Sequence, residues 1–244
     1  MTVLVTGAAG GIGTATVQAF LGAGFDVVGL DRQPAPSQPG YTHVVLDLLN
    51  DGAVHEAVAG AGALQHVVCI AGGALVPEKT TDDPAELELE VWRASLDQNL
   101  TAAFITLQAA LAGLRQLDGD RSISFVSSTD ALLSCGLPAY AAAKAGLIGL
   151  VRALTGPLGA EGIRINAVAP GDIPTERNVA EWGHIDGWYS RMREATALDR
   201  LVTADEVGAA FLAVATQLTS LTGQTMVVDG GLTVSHAAAW ARAT

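Results

Sequence analysis

The chain has 244 residues, 50% of them apolar, and a formal net charge of −12 from 13 Lys and Arg against 25 Asp and Glu. This length and apolar content suit an α/β unit with a large core, so a single domain is expected over residues 1–244. The negative charge opposes binding to nucleic acid or to anionic lipid surfaces, and neither a membrane span nor a secretory leader is recognisable, so we expect a cytoplasmic protein.

Seven short β-branched or apolar runs predict buried parallel strands, because each is too short for a helix and too continuously apolar for a half-exposed antiparallel strand. In chain order they are Val3–Thr6, Val27–Leu30, Val44–Leu46, Val67–Ile70, Ile123–Ser127, Arg164–Val168 and Thr225–Val228. Segments with helical apolar spacing lie between them, at Gly13–Ala23, Asp51–Ala59, Ala85–Leu114, Pro138–Thr155 and Ala204–Ala215. The alternation predicts a Rossmann-type α/β fold, a doubly wound parallel sheet of about seven strands with helices on both faces.

A glycine-rich turn follows the first predicted strand and opens the first helix. Glycines in such a turn let the backbone approach a pyrophosphate, and the free amides at the helix start attract its negative charge. A glycine-rich string alone is weak evidence, but its place between a strand and a helix predicts a dinucleotide site. The expected contacts are Gly7, Gly10, Gly11, Ile12 and Gly13.

The ends of the second and third predicted strands carry carboxylates. Asp31, followed by Arg32, lies about twenty residues after the glycine turn, where it can accept hydrogen bonds from the adenosine ribose hydroxyls. A 2′-phosphate there would be repelled by about 4 kcal/mol per charge pair, only partly offset by Arg32, so NAD is favoured over NADP. Asp47 could accept a bond from the adenine amino group, although a turn or N-cap role is nearly as consistent with its position.

The two cysteines, Cys69 and Cys135, show neither the spacing of metal ligands nor a CxxC arrangement. A chain with a large core in a reducing compartment does not need a disulfide. Both are therefore expected to be reduced thiols, and no metal site is predicted.

Tyr140 and Lys144 lie four residues apart in a helix-forming segment, so both side chains emerge on one face, one turn apart. A neighbouring ammonium favours the phenolate and can lower the pKa of a tyrosine by about 1–3 units, which makes the phenol useful in proton exchange. Ser128 directly follows the fifth predicted strand, where its hydroxyl can donate a hydrogen bond to a substrate oxygen. A serine that only satisfies the following turn is the alternative.

The region 172–200 is polar and irregular but contains large side chains, which favours a flap that covers a substrate. Trp182, Trp188 and Leu133, together with Tyr189 and Met192, favour a bulky apolar or aromatic substrate. The alternative is that these side chains only anchor a long loop. The helix region Tyr140–Leu150 is small and apolar nearly all round and therefore predicts a homo-oligomer interface, in a tetramer or a dimer.

These motifs together resemble the short-chain dehydrogenase/reductase family of the ordinary, roughly 250-residue type. The resemblance covers nearly the whole chain, from the glycine turn through Ser128, Tyr140 and Lys144 to the closing stretches Leu221-Thr222-Gly223-Gln224 and Val228-Asp229-Gly230-Gly231. It implies that Tyr140 is the acid or base for the alcohol oxygen, that Ser128 steadies that oxygen, and that Lys144 holds the nicotinamide ribose. It also implies a water positioned by Asn99, and cofactor contacts from Leu48, Ala71, Gly72, Pro170, Gly171, Ile173 and Thr175.

Two positions depart from the family pattern. Ile70-Ala71-Gly72 stands where the family has Asn-Ala-Gly, so another group must satisfy the backbone there. The spacing of twelve between Ser128 and Tyr140 is one shorter than usual, and the usual spacing would select Ser127. The strand register favours Ser128.

The sequence therefore predicts an NAD-dependent oxidoreductase that interconverts a secondary alcohol and a ketone, acts on a small molecule and has no nucleic-acid or membrane partner. A dinucleotide-sensing regulatory protein without turnover and a reductase of 3-oxoacyl-type substrates are the alternatives. An isomerase or dehydratase that uses bound NAD transiently is disfavoured, because such relatives carry an extra substrate domain.

Overall fold

A computed structural model of the chain describes residues 1–36, 38–76, 83, 85–134 and 137–235. Within these residues one sheet contains seven strands, β1 (Thr2–Thr6), β2 (Asp26–Asp31), β3 (Tyr41–Val45), β4 (Leu64–Cys69), β5 (Arg121–Val126), β6 (Ile163–Pro170) and β7 (Thr225–Val228). Their order is β3-β2-β1-β4-β5-β6-β7, and every neighbouring pair is parallel. The predicted doubly wound sheet of seven parallel strands is confirmed.

Helices cover both faces of the sheet. They are α1 (Gly11–Gly22), α2 (Asp51–Ala61), α3 (Leu89–Leu96), α4 (Ala102–Leu114), α5 (Pro138–Ala160), α6 (Glu176–Trp182), α7 (Trp188–Ala195) and α8 (Ala204–Thr216). Helices α1 and α8 pack together in one apolar cluster, with Phe20 and Phe211 fully buried. Helices α2, α4 and α5 contribute to a second cluster on the other face, around Leu114 and Phe125.

The direction of winding changes beside β1, which lies between β2 and β4. Thr6 at the end of β1 pairs with Leu30 of β2 on one side and with Cys69 of β4 on the other. Because all strands are parallel, their carboxyl ends form one edge of the sheet, and the crossover connections leave on opposite faces at this point. The fold therefore opens a crevice where the glycine turn follows β1.

Several element boundaries differ from the predicted ones. The predicted helix Ala85–Leu114 begins only at Leu89 and is divided by a π-helical turn, Asp97–Thr101, between α3 and α4. Helix α5 continues past Pro157 to Ala160, because a proline so close to the helix end leaves only the carbonyl of exposed Ala153 without its backbone donor. The region 172–200, predicted to be irregular, contains the short helices α6 and α7.

Cys69 is a buried free thiol, and burial raises its pKa to about 12. Cys135, which is also predicted to be reduced, lies outside the described residues. In the described part of the chain no group of three or more His, Cys, Asp or Glu side chains could hold a metal ion. No helix among the described residues is both long and apolar enough to span a bilayer.

Candidate active site

A cleft of about 670 Å³ opens at the carboxyl edge of the sheet. Its walls come from the glycine turn, the segments after β4, β5 and β6, the start of α5 and helices α6 and α7. The predicted site residues that line it are Gly7, Gly10, Gly11, Ile12, Gly13, Ala71, Gly72, Ser128, Leu133, Tyr140, Lys144, Pro170, Gly171, Ile173, Thr175 and Trp188. The glycine turn and the Tyr140–Lys144 pair therefore face the same space.

The glycine turn is shaped by close backbone contacts. Gly7 has a φ of 67°, and a Cβ atom there would lie 2.7 Å from the backbone nitrogen of Ala71. A Cβ atom at Gly13 would lie 1.9 Å from the Gly7 carbonyl oxygen, so only glycine fits at either position. Gly10 is the N-cap of α1 and carries no capping side chain, which leaves the first amides of the helix directed at the cleft.

Asp31 lies at the end of β2 and is half-buried, outside the residues that line the cleft. Its Oδ2 accepts a hydrogen bond from the Ala9 amide at 3.0 Å, and its Oδ1 accepts one from the Gln33 amide at 2.9 Å. The carboxylate thus ties the glycine turn to the β2 end and retains lone pairs for further donors. Arg32 next to it is exposed.

Asp47 is exposed, and its Oδ1 accepts a hydrogen bond from the Leu49 amide at 2.9 Å. This contact corresponds to the turn role, which the sequence offered for Asp47 as the alternative to adenine binding. Leu48 is buried in the core cluster around α2 and α4. Neither residue lines the cleft.

The departure at Ile70 is compensated by Thr6. The hydroxyl oxygen of Thr6 accepts hydrogen bonds from the amides of Ile70 at 3.1 Å and of Ala71 at 3.4 Å. Ile70 itself packs in the apolar cluster that contains Val5 and Ile173. A hydroxyl on β1 therefore joins the ends of β1 and β4 and satisfies the backbone at this position.

Asn99 is fully buried in the π-helical turn behind the cleft. Its Oδ1 accepts a hydrogen bond from the Gly73 amide at 2.8 Å, and its Nδ2 donates to the carbonyls of Ser95 at 2.9 Å and Gly73 at 3.1 Å. The side chain thus takes the Ser95 carbonyl that an uninterrupted α-helix would offer to the backbone amide of residue 99. A Cβ atom at Gly72 would lie 2.3 Å from Asn99 Oδ1 and 3.4 Å from Lys144 Nζ, so Asn99 and Lys144 flank the same loop.

Lys144 brings a nearly buried ammonium beneath the cleft, with 2% of the residue exposed. Its Nζ donates a hydrogen bond to the Val126 carbonyl at 3.0 Å and lies 5.5 Å from the centre of the Tyr140 ring. Burial lowers the pKa of Lys144 to about 7, and the negative charge of Asp130 partly opposes that shift. The spacing of four residues thus places the ammonium beside the phenol ring, as the sequence predicted.

The two adjacent serines after β5 have different partners. The Ser127 hydroxyl is buried and donates to the backbone carbonyl of Lys144 at 2.9 Å. The Ser128 hydroxyl oxygen accepts from the Asp130 amide at 3.1 Å. Both serines line the cleft, as does Tyr140. The Ser127 hydroxyl hydrogen is thus committed to the backbone of α5, and Ser128 as the serine that meets a substrate stays a prediction.

Two carboxyl groups in the cleft, Asp130 and Asp172, were missed by the sequence analysis. Burial, followed by the charge of Asp172, raises the pKa of Asp130 to about 6. A hydrogen bond with Ser128 and the positive charge of Lys144 lower that pKa and so partly oppose the shift. Burial also raises the pKa of Asp172. A signal was present, because both residues closely follow the carboxyl ends of the neighbouring strands β5 and β6.

The region 172–200 lies against the rim of the cleft. Arg177 on α6 donates to the carbonyls of Gly72 at 3.2 Å and Ala74 at 2.8 Å, and it pairs with Glu181 at 2.8 Å. Trp188 and Met192 of α7 line the cleft, whereas Tyr189 is absent from its lining. The side chain of Trp182 lies outside the described part of the structure.

The residues present fit a nicotinamide dinucleotide. A glycine turn with no room for a Cβ atom at Gly7 or Gly13 lies beside a helix N-terminus, and a buried ammonium lies further along the same cleft. Backbone amides and the helix dipole suit the pyrophosphate, and the ammonium suits ribose hydroxyl oxygens.

Comparisons with known proteins agree with this geometry. A family model described as enoyl-(acyl carrier protein) reductase matches residues 7–233. The probable galactose dehydrogenase GalD of Rhizobium meliloti (strain 1021) is 34% identical, over 94% of this chain and 94% of that protein. A 3-oxoacyl-[acyl-carrier-protein] reductase of Synechocystis sp. is 30% identical, over 94% of this chain and 95% of that protein. A crystal structure of a short-chain dehydrogenase/reductase family oxidoreductase from Burkholderia thailandensis superposes with a TM-score of 0.87 at 34% identity, covering 96% of this chain and 93% of that chain.

Proposed function

Because the chain belongs to the short-chain dehydrogenase/reductase family, we propose that it is an NAD(H)-dependent oxidoreductase that interconverts a secondary alcohol and its ketone. The observation that carries this proposal is the buried Lys144 ammonium, 5.5 Å from the centre of the Tyr140 ring, in the cleft that also contains the glycine turn. A lysine with a purely structural role would not need to bury its charge beside a phenol in a cleft, whereas a lysine that takes part in catalysis would.

Tyr140 exchanges a proton with the substrate oxygen, as acid in ketone reduction and as base in alcohol oxidation. Ser128 donates a hydrogen bond to the same oxygen, which stabilises negative charge there as it develops. Lys144 stabilises the phenolate form of Tyr140 and donates to ribose hydroxyls. The dinucleotide, when bound, supplies the hydride acceptor or donor, so no residue of the protein has to carry electrons.

NAD is proposed over NADP on the basis of Asp31. Its carboxylate holds the Ala9 and Gln33 amides and still has acceptor capacity for ribose hydroxyls, whereas a 2′-phosphate would meet a like charge. The cofactor contacts proposed are those of the glycine turn and of the segments after β4 and β6. Asp47 and Leu48 are the weakest of the proposed contacts, since neither lines the cleft.

For the substrate we propose a bulky molecule with an apolar or aromatic face. The outer cleft offers Leu133, Trp188 and Met192 as apolar surface. A second candidate is a hydroxyl-rich aldose or polyol, which is favoured by the carboxyl groups of Asp130 and Asp172 as acceptors and by the galactose dehydrogenase name of one relative. A 3-oxoacyl thioester, in line with the second relative, is a third substrate class for the same reaction.

The test is a screen of the purified protein at 340 nm. Aryl ketones and acetoacetyl-coenzyme A are offered with NADH or NADPH, and secondary aryl alcohols and D-galactose are offered with NAD or NADP. We expect NADH or NAD turnover with at least one aryl ketone or alcohol, and turnover only with D-galactose would favour the second candidate. A dinucleotide-sensing protein would bind NADH without any change in its absorbance, and that outcome would refute the proposed activity.

A further inference from the structure

Asp130 stands where three parts of the cleft meet. It follows Ser128 by two residues, it interacts electrostatically with Lys144 of α5, and Asp172 approaches it from the segment after β6. Tyr140 of α5 lines the same cleft. Burial, followed by the charge of Asp172, raises the pKa of Tyr189 of α7. Among these groups the charges of Asp172 and Lys144 act directly on the Asp130 carboxyl. The charged side chains Arg177 and Glu181 of α6 line the same cleft.

Asp130 contacts Ser128 twice. Its backbone amide donates to the Ser128 hydroxyl oxygen at 3.1 Å, and its carboxyl group is hydrogen bonded to the Ser128 side chain. The backbone contact fixes the oxygen whatever the charge of the carboxyl group. The side-chain contact decides where the single hydroxyl hydrogen points, because a serine hydroxyl has only one hydrogen to donate.

We propose that Asp130 is a positioning residue that determines whether the Ser128 hydroxyl donates its hydrogen to the substrate oxygen or keeps it within the protein. The inference rests on the proposed function, because it concerns the hydroxyl that would meet the substrate. An ionised Asp130 only accepts hydrogen bonds, so it holds the Ser128 hydrogen. A protonated Asp130 no longer needs that hydrogen, and Ser128 is free to donate to a carbonyl oxygen.

The two protonation states of Asp130 therefore differ in how well the site can bind a ketone. A ketone oxygen only accepts hydrogen bonds and therefore depends on both Tyr140 and Ser128 as donors. Since the pKa of Asp130 is raised to about 6, the neutral state prevails below that pH and the ionised state above it. The kcat/KM for ketone reduction is therefore expected to fall by about tenfold as pH rises through this range, the worth of roughly one hydrogen bond.

The first experiment needs no turnover. The carboxyl carbon of Asp130 is titrated by ¹³C NMR in the wild type, Ser128→Ala and Ser127→Ala. Because the hydrogen bond from Ser128 favours the ionised form, removing it should move the Asp130 midpoint to higher pH. Ser127→Ala is the matched control and should leave the midpoint in place, since the Ser127 hydroxyl bonds to the Lys144 carbonyl instead. A midpoint that Ser128→Ala leaves unchanged would refute the coupling.

The second experiment links this proton to catalysis. The pH profile of kcat/KM is recorded with the most reactive ketone of the screen for the wild type and Asp172→Asn. Because the charge of Asp172 raises the pKa of Asp130, Asp172→Asn should lower the NMR midpoint and the kinetic midpoint together. A kinetic midpoint that stays fixed while the NMR midpoint moves would overturn the proposed control. If no compound is turned over at any pH, the proposed function fails, and the NMR titration still decides the contact between Asp130 and Ser128.

Discussion

Ser127 and Ser128 are adjacent, yet their hydroxyl groups serve different parts of the molecule. Both line the cleft, but Ser128 is the proposed donor to the substrate oxygen, so Ser128→Ala should lower kcat by about 10²-fold or more, as the loss of an oxyanion donor does. Ser127→Ala removes a buried bond to the Lys144 carbonyl and should cost about 1 kcal/mol of stability, with kcat reduced far less. Steady-state kinetics and thermal melts of the two variants check this, and the reverse ranking in kcat would select Ser127 as the catalytic serine.

Asp31 is the residue on which the preference for NAD depends. Asp31→Ala should narrow the NAD over NADP ratio of kcat/KM by roughly tenfold or more, because the like charge that repels a 2′-phosphate is removed. Asp26→Ala is the control, since Asp26 is an exposed carboxylate at the opposite end of the same strand. An unchanged NAD over NADP ratio of kcat/KM in Asp31→Ala would mean that this carboxylate does not distinguish the ribose of NAD from the 2′-phosphorylated ribose of NADP.

At the level of secondary structure, α6 is attached to the loop after β4 by Arg177. Arg177→Ala should loosen α6 over the cleft and raise the KM for NADH by a few-fold, with a smaller change in kcat, because the two exposed hydrogen bonds that it removes are each worth about 0.5–1.5 kcal/mol. Hydrogen exchange of residues 174–182 should increase in the same variant. Arg193→Ala on α7, which pairs with Asp199, is the control, and equal effects of both variants would contradict a specific role of Arg177.

The elements also show how far the sequence could predict the site. Strand pattern and the four-residue spacing of Tyr140 and Lys144 located the sheet edge and the phenol–ammonium pair, because both depend on local periodicity. The Thr6 hydroxyl that replaces the absent asparagine at Ile70 was not foreseeable, since it is a contact across 64 residues. The π-helical turn at Asn99 was missed for a similar reason, because it depends on the position of Gly73. Asp130 and Asp172 could have been found from the strand order alone.

At the level of the whole molecule, a homo-oligomer through the Tyr140–Leu150 region stays a prediction. Gly149 is exposed on α5, and a Cβ atom there would meet nothing within 4 Å in the isolated chain. Gly149→Glu should therefore shift the mass measured by light scattering from a tetramer or dimer toward the monomer. Gly60→Glu on α2 is equally exposed and open and serves as the control. An unchanged mass for Gly149→Glu would place any interface elsewhere.

In the proposed reaction Tyr140 exchanges the substrate proton, and Lys144 keeps a positive charge beside it. The most direct test of this proton exchange combines stopped-flow turnover with NADH titration for the wild type and Tyr140→Phe, using the substrate found in the screen. We expect the Kd for NADH to stay within a few-fold, because the ring and the ammonium remain, while kcat falls by several orders of magnitude, because proton transfer is lost. Turnover near the wild-type rate in Tyr140→Phe would show that Tyr140 is not the proton donor or acceptor.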